Sequence, residues 1–131
     1  MIRFSLGFAE ANGFVKLAKV TDNVLKSVHL RVTKYEKIGG GFVAICFIGE
    51  LSSVKHGVET AAAFGIKTAL IASPGPVVLT LLGLKPSLET ETALVEVEEM
   101  ADYPMDAIGL IETRGFIPMV VALDAMEKAA H

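Results

Sequence analysis

The sequence has no tryptophan, a single cysteine (Cys46), and few aromatic side chains, 7% in all. One cysteine forms no disulfide within the chain, and the expectation is a reducing, cytoplasmic setting. No apolar run is long enough for a membrane span. The longest stretch without charge, Thr68 to Leu84, is interrupted by Pro74, Gly75 and Pro76, whereas a spanning helix needs about 20 apolar residues. Met1-Ile2-Arg3-Phe4-Ser5 lacks the basic region, apolar block and cleavage site of a signal peptide. There is no basic excess, the net charge being −3, which argues against a nucleic-acid partner. His29, His56 and His131 are scattered, and no metal-ligand cluster is expected. No Ser/His/Asp spacing, dinucleotide fingerprint or phosphate-cradling loop ahead of a helix is present. Asp22 and Asp124 are helix-face acids without an evident partner, and Glu10 and Glu112 read as turn acids. The expectation is a protein with no enzymatic activity and no cofactor.

What the chain does have is apolar content, 52% of 131 residues, with a mean hydropathy of +0.53. A domain of this size has much surface for its volume. Part of that apolar content therefore reaches the surface, where large patches mark interfaces. Residues 4–10 read as a strand. Phe14 to Val28 read as a helix, with Leu17, Val20, Val24 and Val28 at helical spacing. Leu30 to Glu36 alternate like a half-buried strand, and Gly39-Gly40-Gly41 break the chain. Phe42 to Ile48 is a continuous apolar run expected as a central strand. Leu51 to Phe64 read as a second helix, closed by Gly65. Lys67 to Ala72 read as a strand, and Pro76 to Leu82 as a short helix with proline in its first turn. The order β-α-β-β-α-β-α implies an α+β, ferredoxin-like domain: a mixed-direction four-stranded sheet with its helices packed on one face. Cys46 falls within the apolar strand and reads as a core thiol.

Residues 85–104 differ in character. Glu89, Glu91, Glu96, Glu98, Glu99 and Asp102 carry charge with no basic residue after Lys85, and Pro86 and Pro104 bracket the stretch. It reads as an acidic linker, with Val95 and Val97 in a short strand. Beyond it the chain repeats itself. Ser5 to His29 aligns with Ala107 to His131 without a gap: Gly7, Glu10, Gly13, Phe14, Asp22, Lys26 and His29 match Gly109, Glu112, Gly115, Phe116, Asp124, Lys128 and His131. Each copy reads as a strand, a glycine turn and a helix. The expected organisation is a complete domain over 1–84, a linker over 85–104, and over 105–131 the first strand and helix of a second copy.

These residues resemble the bacterial microcompartment (BMC) shell domain. Ala107 to Phe116 is similar to that family's opening strand and turn, Asp124 to Ala130 to the end of its first helix, and Lys34-Tyr35-Glu36-Lys37-Ile38-Gly39-Gly40-Gly41 to its pore-loop signature. The resemblance implies a structural subunit of a microcompartment shell, located in the cytoplasm, that forms flat cyclic oligomers. These are hexamers, or trimers of the same outline in tandem members, and they tile with one another and with other shell proteins. A central pore would pass small polar metabolites. Lys37, Ile38, Gly39, Gly40 and Gly41 would line it, since glycines let backbone approach a symmetry axis closely and present N–H and C=O dipoles. Lys26, and Lys128 in the second copy, would be edge lysines between oligomers. The family carries an arginine motif after its fourth strand, where this chain has Ser73-Pro74-Gly75, which implies altered tiling. Some tandem relatives place a cluster-binding cysteine in the pore loop; the glycines here imply no cluster. Three readings of the incomplete copy remain open: a shortened tandem chain, natural or engineered; circular permutation, with Ala107 to His131 in the sheet position of Ser5 to His29; and exchange between subunits. Left unpaired, that segment would expose an apolar helix face including Ile117, Val120 and Val121. The rival reading is a ferredoxin-like sensor that binds a small molecule; a second rival, an enzyme using Cys46 or a histidine, needs an exposed reactive thiol.

Overall fold

The computed structural model describes residues 4–86, 94–96 and 109–130. Four strands, β1 (Ser5–Asn12), β2 (Arg31–Gly39), β3 (Phe42–Gly49) and β4 (Lys67–Ile71), form one sheet in the order β2-β3-β1-β4. Helix α1 (Phe14–Ser27) links β1 to β2, and α2 (Leu51–Ala62) links β3 to β4. Helix α3 (Pro76–Leu81) follows. A two-stranded ladder then joins β5 (Leu84–Pro86) to β6 (Leu94–Glu96), and α4 (Phe116–Ala129) closes the described chain. The short strand expected around Val95 is β6; Val97 and most of the acidic stretch lie outside the described residues.

The α+β class and the four-stranded sheet agree with expectation, but two features of the sheet differ. Its direction is not mixed, because every ladder, β1 with β3, β1 with β4 and β2 with β3, is antiparallel. Each helical crossover skips one strand, so β1 and β2 run parallel with β3 between them, and β3 and β4 with β1 between them. Helix crossovers force parallel directions, and the split arrangement keeps those parallel strands from being neighbours.

The helices also cover both faces instead of one. On one side Leu17, Val20 and Val24 of α1 and Val54 and Ala61 of α2 pack on Ala9, Ala11, Val43, Ile45 and Phe47. On the other, Val78, Leu79 and Leu82 around α3 and Ile117 and Val120 of α4 pack on Leu6, Phe8, Cys46, Ile48 and Ile71. The reason lies in β1 and β3, whose apolar side chains point to both sides. Helices on one face would leave Leu6, Phe8 and Ile48 in water, at about 1.5–3 kcal/mol for each large side chain. Strands buried on both faces read as continuous apolar runs, which is the pattern of Phe42–Ile48.

Helix α4, whose sequence matches that of α1, takes a different seat. Of the apolar face expected to be exposed, Ile117 (4%) and Val120 (0%) are buried, while Val121 stays exposed. Residues 109–113, which match β1, form no strand, and Leu110 is 94% exposed. The central sheet position belongs to β1 itself, so the permuted arrangement is not the one observed.

Two carboxylates hold α4 in place. Glu10, at 4% exposure on β1, accepts the N–H groups of Phe116 (2.8 Å) and Ile117 (3.4 Å) at the start of α4. Glu127 of α4 accepts the Val77 N–H at the start of α3 (3.1 Å). These are amides that a helix leaves without internal partners, and negative charge is favoured there. Gly75, within the Ser73-Pro74-Gly75 departure from the resemblance, faces the Glu127 carboxylate, which a Cβ at that position would strike.

Candidate functional site

The β2–β3 hairpin ends in a two-residue loop. Gly39 pairs with Phe42, leaving Gly40 and Gly41 as the turn, with φ of +62° and +86°. Positive φ at both central residues is the signature of the tight hairpin turn that matches strand twist. Such backbone strains any residue with a Cβ. A Cβ at Gly41 would lie 2.7 Å from Oδ1 of Asn12, and the Gly41 carbonyl accepts the Gly13 N–H at 2.8 Å. This side of the turn is therefore clamped to the end of β1. The other side is open, since a Cβ at Gly39 meets nothing within 4 Å and one at Gly40 only the edge of Phe42, at 4.0 Å.

Lys37 and Ile38 precede the turn on β2, where a β-bulge shifts the register between Lys37 and Gly39. Lys37 is exposed and Ile38 half-buried. The five residues expected to line a pore thus sit together on one projecting hairpin, with polar backbone and one ammonium at its tip.

The two lysines expected at oligomer edges are not brought together. Lys26 lies on α1 and Lys128 on α4, on opposite faces of the sheet. Each binds the aspartate one turn earlier, Lys26 to Asp22 at 2.7 Å and Lys128 to Asp124 at 2.9 Å. This supplies the partners that Asp22 and Asp124 lacked on a reading of the sequence. The repeat preserves the pair, although i,i+4 spacing alone signals it. Such exposed pairs contribute about 0.3–0.5 kcal/mol, so either ammonium can exchange its aspartate for another acceptor at small cost.

Cys46 is 1% exposed on β3. Burial pushes its thiol from an ordinary value of 9.0 to about 12, with a hydrogen bond from Thr33 pulling weakly the other way. A thiol so placed is not a nucleophile at neutral pH. At pH about 8 the folded protein is expected to react with a thiol reagent at least a hundredfold more slowly than the denatured chain. Because the fold keeps the thiol protonated, this group's contribution to stability is intact below pH 9.0 and falls as pH rises toward about 12. Urea midpoints measured across that range should decline less steeply in Cys46→Ala. Fast labelling of the folded protein would show that the strand is not buried as described. Among the described residues, no group of histidine, cysteine or acid side chains is arranged to hold a metal, and no helix is long and apolar enough to cross a membrane.

A four-stranded sheet flanked by two crossover helices, with a glycine hairpin projecting from one end, belongs to a known class. Residues 5–74 match the BMC domain family, and the chain is a member of that family. It is 33% identical over 134 residues to the carboxysome assembly protein CcmO of Synechocystis sp., a match covering 96% of this chain and 44% of the relative. The chain thus spans less than half the length of that protein. The carboxysome shell protein CcmK2 of the same organism is 29% identical over 104 residues, covering 76% of this chain and 97% of the relative. The fold is shared with a microcompartment protein of Desulfitobacterium hafniense, with a TM-score of 0.54 and 18% identity over 61% of this chain and 47% of that one.

Proposed function

We propose that the chain is a structural subunit of a bacterial microcompartment shell, located in the cytoplasm, that assembles with copies of itself and with other shell proteins. The observation that carries this reading is membership of the BMC family through the region that contains the glycine hairpin. On this reading the subunits form a hexamer, or a trimer of hexameric outline, and their hairpins meet at the symmetry axis. Lys37, Ile38, Gly39, Gly40 and Gly41 line the opening there. The open side of Gly39 and Gly40 supports this, since nothing within the chain fills the space that their side chains would enter. Backbone dipoles and the Lys37 ammonium favour small polar or anionic solutes, and work of this kind calls for no catalytic group. Lys26 and Lys128 serve at edges between oligomers. Residues 105–131 are the start of a second BMC copy, joined by the acidic linker 85–104 to the domain over 1–84. The exposed apolar side chains Phe14, Val15, Leu25, Tyr35 and Phe42 belong in interfaces. A ferredoxin-like sensor is not favoured, because the family's curated relatives are assembly and shell proteins.

Native mass spectrometry with negative-stain microscopy tests assembly: cyclic oligomers that grow into sheets, tubes or closed shells are expected, and a clean monomer would refute the reading. The pore is tested by Gly40→Leu. The substitution strains the turn by about 1–2 kcal/mol yet meets almost nothing within the chain. Assembly should survive while solute flux through assembled shells falls several-fold. Unchanged flux would remove the hairpin from the pore.

A further inference from the structure

At the same end of the sheet, beside the hairpin, the chain forms a cleft of about 860 Å³. Its floor is the end of β1. Its walls are the hairpin, the turn between α2 and β4, and the approach to α4. Among the described residues, four charged side chains line it: Lys16 from α1, Lys67 from β4, Arg114 ahead of α4, and Glu10. The charge balance is therefore one carboxylate against three cations. Glu10 is also committed. It stands directly opposite Lys67 in the β1–β4 ladder, where a cross-strand ion pair is the ordinary outcome. Its two oxygens instead take the amides of Phe116 and Ile117. Among the described residues, Lys16, Lys67 and Arg114 form no ion pair.

A cleft of several hundred Å³ with a few convergent polar groups is the usual form of a small-molecule site. Three cations from three separate segments, unpaired among the described residues, suit an anion. Arginine adds a fork that matches the oxygens of phosphate. Gly39 and Gly40 complete the rim with main-chain groups, while the Thr113 hydroxyl is engaged with the Gly115 carbonyl. The volume exceeds what a bare ion fills. We infer that this cleft binds a small organic phosphate, with Lys16, Lys67 and Arg114 as its charge partners. The cleft shares Ile38, Gly39 and Gly40 with the hairpin proposed to line the pore, whereas its three cations lie outside that set. Its three cations come from one chain, so one site per chain is expected.

Equilibrium dialysis of the full chain against radiolabelled glycerol 3-phosphate tests this, at about 0.01 M ionic strength, where screening sets in only beyond about 30 Å. Saturable binding is expected, with none for uncharged glycerol. The double variant Lys67→Gln/Arg114→Gln should weaken it at least about tenfold, the usual scale for losing hydrogen bonds to a charged group. Its thermal midpoint should stay within the small range of surface substitutions. Lys55→Gln, on the exposed side of α2 and away from the cleft, should bind like the parent. Absence of saturable binding, equal uptake of glycerol, full affinity in the double variant, or loss of binding in Lys55→Gln would each overturn the assignment. Oligomeric state is read separately, so failure of the cleft and failure of the shell reading give different results.

Discussion

Phe47→Ala is expected to lower the thermal midpoint by more than about 10 °C. The Phe47 ring is fully buried on the face of β3 that carries α1 and α2. It sits against Gly7, where any Cβ would run into the ring, and near Gly57, where a Cβ would come within 3.2 Å of it. Two glycines, one on β1 and one on α2, therefore leave room for a single phenyl group. Removing it creates a cavity that the neighbouring strands and helices cannot collapse to fill. Truncations of this kind cost about 3–5 kcal/mol, a large share of the roughly 5–15 kcal/mol that holds a domain together. In a chain of this length each kcal/mol shifts the midpoint by about 4 °C. Val121→Ala, on the exposed side of α4, should change it little. A drop below about 5 °C for Phe47→Ala would mean that α1 and α2 do not close over this ring.

Glu10→Ala should release α4 while leaving the sheet intact. The Glu10 carboxylate is nearly inaccessible and supplies the acceptors for the first two amides of that helix. Without it those amides face a site that water reaches poorly, and unsatisfied buried donors are costly. Hydrogen bonds to a charged group contribute about 1.5–3 kcal/mol, so amide exchange through Phe116–Ala129 should quicken by roughly ten- to a hundredfold. Exchange in β1, β3 and β4 should hold. Glu10→Gln keeps one acceptor oxygen and should fall between. Cys46 lies on the face that α4 helps to cover, so its labelling should rise with the loss of the helix. Unchanged protection of α4 in Glu10→Ala would show that its apolar contacts alone keep it in place.

The two variants probe the parts of the molecule that differed most in legibility. Helical spacing in Leu17, Val20 and Val24 places α1 correctly, because an amphipathic stripe is a local property of the chain. The turn at Gly40 and Gly41 was equally legible, since the backbone there needs positive φ at both positions and glycine adopts it without strain. The position of α4 was not. Its sequence copies α1, but the seat that α1 occupies on its own face of the sheet is filled. The copy buries Ile117 and Val120 on the opposite face. The role of Glu10 was equally hidden, for its partners lie more than a hundred residues away in the chain.

Residue pattern by itself determined the order of strands and helices through α3, the glycine hairpin, the burial of Cys46 and the existence of α4, because each depends on spacing within a short stretch; the strand expected ahead of α4 is not formed over residues 109–113. Tertiary structure alone decided the all-antiparallel ladder order, the covering of both faces, the seat of α4 and the convergence of Lys16, Lys67 and Arg114 on one cleft. These depend on which surfaces remain uncovered once the sheet has formed, and that competition for apolar area is settled only in three dimensions.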